Sequence, residues 1–312
     1  MRFHWLIAAV GIALGGAHPA AALDLTFGPE RETLGVGRLF NNDQFGDTYD
    51  RWRTGSYVFS LVRGPDWSGP RPTTPGEIVE YRFRTEIIAP SALNGPGSDD
   101  RPYVGALSAG AHTHFSLGRV EASVGADLTA VGPQTGVSDL QAAFHEMFGL
   151  PTLSPTVADN QVPNAVYISG TAELGLPVPL SETAVLRPFV EAQAGVEDIL
   201  RIGGDLVIGR VGQGGLWLRD VPTGQLYPGI ATGAGGVTYV VGMDYAVVGQ
   251  SRFFPDDMGA SALPERFRAR AMAHWQLGSE VSWGYGMTYL SEEFEGQPEG
   301  QFVGSVKLNF NF

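Results

Sequence analysis

Val306-Lys307-Leu308-Asn309-Phe310-Asn311-Phe312 alternates apolar and polar residues at every step and ends on an aromatic one. Successive side chains of a β-strand point to opposite faces, so Val306, Leu308, Phe310 and Phe312 form an apolar wall. Lys307, Asn309 and Asn311 form the polar wall behind it. A soluble sandwich would turn the apolar wall inward, whereas the closing strand of an outer-membrane barrel would turn it toward lipid.

The other end of the chain favours the barrel. Met1 to Ala22 reads as a secretory signal, with Arg2 at its start, an apolar stretch from Trp5 to Gly16, and a small-residue cleavage site at Ala20-Ala21-Ala22. Cleavage before Leu23 leaves 23–312 as one barrel domain. The apolar stretch is shorter than the roughly 20 residues a membrane-spanning helix needs, and no later run is long and uninterrupted. Gly and Pro are scattered as turn punctuation, so no linker divides the chain. The absence of cysteine excludes thiolate metal sites and cysteine nucleophiles. A formal charge of −13, from 20 basic and 33 acidic residues, argues against a nucleic-acid partner.

The alternation recurs through the interior. Val79, Tyr81, Phe83, Thr85 and Ile87 oppose Glu80, Arg82, Arg84 and Glu86. Phe267, Ala269, Ala271, Ala273 and Trp275 oppose Arg266, Arg268, Arg270, Met272 and His274. Charged faces of this kind meet water in a soluble sandwich, or pair inside the lumen of a membrane barrel. Aromatics such as Tyr81, Trp275, Trp283, Tyr285 and Tyr289 suit interfacial girdles. The sequence therefore predicts an all-β, transmembrane antiparallel barrel of about twelve strands in the outer membrane of a Gram-negative bacterium. The strands fall near 32–40, 54–63, 77–88, 103–115, 118–130, 165–176, 184–198, 200–210, 236–249, 264–276, 279–291 and 301–312. The C-terminal strand is the expected contact for the barrel-assembly machinery. With both termini periplasmic, Val211 to Gly235 is long where a short turn belongs, and periodicity offers no account of it.

One segment reads as a helix, in the third extracellular loop. Ser138 is the expected N-cap and Gln141 its capping-box partner. Leu140, Phe144, Met147 and Phe148 share one face, and Gly149 and Pro151 end the helix. Gln141 and His145, four apart, share a side, so the helix carries a histidine toward whatever it packs against. An incidental histidine on a plug or lid helix is the plainer reading of those residues alone.

Several stretches together resemble the outer-membrane lipid A 3′-O-deacylase family. They are NNDQF (Asn41–Phe45), DRWRTG (Asp50–Gly55), DDRPYVG (Asp99–Gly105), VGPQTGVSDLQAAFHEMFG (Val131–Gly149), DNQVPN (Asp159–Asn164) and SEEFEGQPEGQFVGS (Ser291–Ser305). The resemblance implies a twelve-stranded barrel that hydrolyses the 3′-linked acyl ester of lipid A in lipopolysaccharide, using a calcium ion and a histidine-activated water. Carried over, it makes His145 the general base, sets Asn42 and Asp43 at the barrel mouth with Asp43 linked to Ca2+, and gives Thr54 a role in positioning substrate or water. One departure stands out: the family's lysine in the second extracellular loop has no counterpart between Ala89 and Gly97, and Lys307 is the chain's only lysine.

Ester hydrolysis needs a base for water and fixed positive charge where the oxyanion forms. A neutral histidine suits the first task, and calcium, ligated by carboxylate and amide oxygens, suits the second. Asp47 and Asp50 read as solvated loop, whereas Arg51 and Arg53 could meet lipid A phosphates or simply belong to an exposed charged loop. His112 and His114 share a strand face but lack a third ligand, so lumen lining is the better reading. A non-enzymatic barrel, porin or structural, competes with the esterase, and the absent lysine is its best argument. A soluble lipocalin-like binder would leave the apolar, aromatic last strand unexplained.

Overall fold

Leu200 and Ile202 are 61% and 63% exposed, while Arg201 between them is 5% exposed. That inversion of a soluble protein's pattern holds around the sheet in a computed structural model of the chain. It describes residues 31–95, 100–232, 235–277 and 281–310. The expected signal, Met1 to Ala22, lies outside the described residues, as do Asn311, Phe312 and the Phe310 side chain of the apolar wall.

Twelve strands close the barrel: β1 (Glu32–Asn42), β2 (Trp52–Gly64), β3 (Val79–Ala89), β4 (Val104–Leu117), β5 (Val120–Val131), β6 (Ala165–Gly175), β8 (Ala184–Ala194), β9 (Glu197–Gly209), β12 (Gly236–Ser251), β13 (Glu265–Leu277), β14 (Val281–Leu290) and β15 (Gln301–Phe310). Each pairs antiparallel with its neighbours, and β1 meets β15 at Phe40↔Val306. β6 pairs with β8 from Gly170↔Ala194 to Gly175↔Phe189, which leaves a two-residue strand, β7 (Val178–Pro179), on the rim. Over the described residues all twelve sequence-predicted spans coincide with strands, displaced by only a few residues at their ends. Every backbone group of a closed sheet finds a partner, the condition for crossing hydrocarbon with strands.

The lumen is charged and paired. Arg270 joins Asp205 and Asp244, Arg219 joins Glu173 and Asp205, and Glu80 joins Arg82 and His114. His112 pairs with Asp127, and His274 packs edge-on against Trp217. All three histidines thus line the lumen.

The long connection after β9 is the interior of the barrel. It folds inward as a hairpin, β10 (Leu216–Arg219) and β11 (Leu226–Ile230). Its Leu216, Leu218, Tyr227 and Ile230 form one apolar cluster with Leu39, Val58, Val62, Ile78 and Met272 of the wall. Each such side chain contributes about 1.5–3 kcal/mol on burial. The hairpin backbone runs against β1 at Gly35, where an added Cβ would lie 2.1 Å from the Gly229 carbonyl oxygen. Only glycine admits that approach.

The helix is present as α1 (Val137–Phe148), followed by a short α2 (Pro155–Asp159). Its start differs from the sequence reading. Gly136, with φ 65°, is the N-cap and Ser138 lies inside the first turn, so no capping box forms. Gln141 is instead buried and accepts a hydrogen bond of 2.8 Å from the Tyr103 hydroxyl.

Candidate functional site

The site is built on the outer side of the barrel rim. On β1 and β2, Asn41 and Ser56 are buried and bonded to one another in the lumen. Strand alternation therefore turns Asn42 and Gly55 outward. Register aligns Asn42 with Gly55, Gly55 with Ile87, and Ile87 with Gly105, a lateral row across four strands. α1 packs onto this row from outside: an added Cβ on Gly105 would lie 2.8 Å from Cβ of Val137. From there the helix passes Tyr103 at Gln141 and reaches the β1–β2 loop at His145.

That loop supplies the acids. After β1, Asp43–Phe45 form a single 3-10 turn capped by Asn42, whose Oδ1 accepts the Gln44 amide at 2.9 Å. The cap fixes the Asn42 amide: Oδ1 is occupied, and Nδ2, without a hydrogen-bond partner among the described residues, lies over Gly55. Asp43 is fully buried. Its carboxylate accepts the Arg51 amide at 2.8 Å and the Thr54 hydroxyl at 3.0 Å. The same hydroxyl lies 2.6 Å from Asp50, and Asp50 Oδ2 lies 3.4 Å from His145 Nε2. His145 is buried, and its Nδ1 meets the Pro151 carbonyl. A carbonyl only accepts, so Nδ1 carries a proton and Nε2 is the nitrogen left to act as a base.

The backbone is held in unusual conformations around this chain of contacts. Thr48 and Trp52 have φ of 70° and 51°, a region costing non-glycine residues about 1–3 kcal/mol each. Pairing of β2 with β3 slips between Trp52 and Gly55, which aims Thr54 at both acids. Gly46 presses on β15, where a Cβ would lie 2.0 Å from the Phe302 carbonyl oxygen.

Asn42, Asp43, Thr54 and His145, all read from sequence, come together on one rim. Asp50, read as solvated loop, is corrected: it joins Thr54 to His145. Its signal was its place at the head of DRWRTG. Arg53 is corrected as well. It is buried in the lumen with Glu86, Glu197 and Glu293, away from any phosphate. Arg51 lies between the Tyr49 and Trp52 rings and pairs with Asp47 and Glu299. Two more of the family-like stretches, those holding Arg101 and Glu293 to Gln301, brace the site. Arg101 binds Glu293, Gln297 accepts the Glu293 amide, and Gln301 accepts the Arg53 amide while donating to the Arg51 carbonyl.

Burial lifts the Asp43 carboxyl well above the usual carboxylate range; the Arg51 amide and Thr54 hydroxyl pull it back in part, and Asp50 and Asp47 add to the rise. The Thr54 hydroxyl has one proton and two acidic neighbours, so ionised Asp43 and Asp50 cannot both be satisfied by it. Among the described residues no basic side chain pairs with Asp43, and no three His, Asp or Glu side chains form a ready-made metal site. Uncompensated carboxylate oxygen of this kind fits a hard cation that completes its shell with water or ligand oxygens.

Comparison with known proteins matches residues 6–312 to the family model described as outer membrane protein LpxR. Among solved structures, LpxR from Salmonella typhimurium superposes with a TM-score of 0.73 at 15% identity, covering 89% of this chain and all of that one. An outer membrane channel from Pseudomonas putida F1 gives 0.48 at 12% identity, covering 90% of this chain and 97% of that one. The β domain of a Bordetella autotransporter, BrkA, gives 0.41 at 12%, covering 89% and 99%. No curated protein sequence matches.

Proposed function

The chain belongs to the LpxR family of outer membrane proteins, and from that premise we propose that it is an esterase that removes the 3′-linked acyl chain of lipid A. The observation that carries the proposal is the position of the contact chain His145–Asp50–Thr54–Asp43 on the outer wall of the barrel. A substrate anchored in the outer leaflet reaches that wall without entering the lumen.

Each residue then has a task. His145 Nε2 takes a proton from water as it attacks the ester carbonyl, and the Asp50 carboxylate stabilises the imidazolium that forms. The free Nδ2 of Asn42 donates to the carbonyl oxygen as charge gathers there. Thr54 orients the two acids. Asp43 would hold Ca2+, which when bound supplies a Lewis acid and neutralises the buried carboxylate. When the tetrahedral adduct collapses, the proton on His145 passes to the departing sugar oxygen.

A non-enzymatic barrel is the second reading, favoured by the missing loop lysine. The inward hairpin argues against a porin, because it occupies the lumen such a protein would keep open. Mass spectrometry of lipid A from cells producing the wild-type chain or His145→Ala tests the proposal. Loss of the 3′-linked acyl or acyloxyacyl mass with wild type only, abolished by a calcium chelator, is the expected result. Unchanged lipid A in both strains, with the barrel folded and inserted, would establish the second reading.

A further inference from the structure

The apolar face that the sequence assigns to α1 does not pack on the barrel. The helix buries Val137, Gln141 and His145 instead, and leaves Leu140 65%, Phe144 40% and Met147 68% exposed. At 100° per residue these three lie on one flank, while Asp139 and Glu146, both exposed, lie on the side turned away from the wall. α1 also runs along the wall across neighbouring strands, from Gly105 on β4 toward the loop after β1. The apolar flank therefore lies alongside the wall, and the two acids point away from it.

The belt begins directly beneath. Gly105, under Val137, shares its outward face with Leu107, which is exposed like Leu128, Val166 and Ile168 on the strands that flank the helical loop. An exposed apolar flank continuous with a lipid-facing wall would be a liability in water, and is stabilised where it meets acyl chains.

We propose that α1 is an interfacial helix whose Leu140–Phe144–Met147 flank sits among the acyl chains of the outer leaflet, with Asp139 and Glu146 turned to water. The surface is continuous with the barrel's own lipid contact, and its occupant is membrane hydrocarbon. If the esterase reading is right, the same seating puts His145 at the depth of an acyl ester. The seating itself does not depend on hydrolysis.

The chain lacks cysteine, so single substitutions carry unique spin labels. Met147→Cys, Glu146→Cys and, as a belt reference, Ile168→Cys would be labelled in the full-length barrel reconstituted in phosphatidylcholine vesicles. Collision with oxygen and with a water-soluble nickel chelate would then be compared. The label at 147 should match that at 168, with nickel collision several-fold below that at 146. Equal nickel access at 147 and 146, with 168 shielded, would overturn the proposal whether or not the protein hydrolyses lipid.

Discussion

His145 Nε2 faces Asp50 Oδ2 at 3.4 Å, across a gap between a loop helix and the turn that follows the first strand. The Pro151 carbonyl takes the other ring nitrogen, so Nε2, beside Asp50, is the nitrogen left to take a proton from water. The two residues share no secondary-structure element, and only the wrapping of α1 around the rim brings them together.

Replacing His145 by Gln should lower kcat by at least about a hundredfold, the usual span of general-base catalysis. Asp50→Asn keeps an acceptor for Thr54 but removes the charge that stabilises the imidazolium. It should lower kcat by about tenfold, within the range of a close charge pair, and leave KM unchanged. Single-turnover deacylation in lipid vesicles checks both, with heat-modifiable migration reporting the folded barrel. Full activity in Asp50→Asn would detach this acid from the chemistry.

Asp43 carries a pH signature. A carboxyl raised in the folded state contributes stability that is fully present below its unfolded value of about 3.9 and is lost as pH rises through its folded value. The calcium-free protein should therefore weaken at the site loop as pH rises past the ordinary carboxylate range, and Asp43→Asn should remove that trend. Calcium at about a hundred times its Kd should restore about 2.7 kcal/mol to wild type and nothing to Asp43→Asn. Hydrogen exchange of the Arg51 and Thr48 amides against pH, with and without calcium, reads this directly.

The inward hairpin should make the barrel non-conducting. Its tip is tied to the wall beside the site, with Asn41 donating to Asp220 at 3.0 Å and to Ser56 at 2.9 Å. Wild type in a planar bilayer should carry no steady current, and a chain with residues 213–231 replaced by a short turn should carry one. Asp220→Ala, which frees Asn41 and also releases the Thr223 amide and hydroxyl within the hairpin turn, should stay closed but lose activity by a few-fold, on the order of one hydrogen bond. An open wild-type pore would refute the plug.

Arg53 is a structural cation. Its guanidinium joins Glu86, Glu197 and Glu293, and burial alone would raise Glu293, yet Arg53, Arg266 and Arg101 outweigh it and hold that acid well below the usual carboxylate range. Arg53→Met leaves those acids unbalanced and should cost about 3–5 kcal/mol in urea unfolding from vesicles. A loss under about 1 kcal/mol would indicate water-screened pairs.

The spans of all twelve strands were legible because period-two alternation is local: each residue's face follows from its neighbours. The conjunction of Asn42, Asp43, Thr54 and His145 was legible only through motif resemblance, since nothing in their spacing brings position 145 near position 43. Three readings failed for physical reasons. Ser138 looked like a cap, but Gly136 in the left-handed region started the helix first. Arg53 looked exposed because a slip in β2 pairing, invisible in sequence, turns it into the lumen. Asp50 looked solvated because its partner comes from a distant loop.

Alternation by itself determined that this chain is built of strands with one charged and one apolar face, because successive side chains of a strand point to opposite sides, and the aromatics on the apolar faces favoured turning those faces to lipid. What tertiary structure decided was what each irregular segment faces. The 210–235 connection turned inward where Gly35 lets its backbone approach, and α1 turned its polar edge to the wall and its apolar flank outward. Periodicity defines a face, but the energy of turning it one way or the other depends on the surface it meets, and that surface is assembled from strands far apart in the chain.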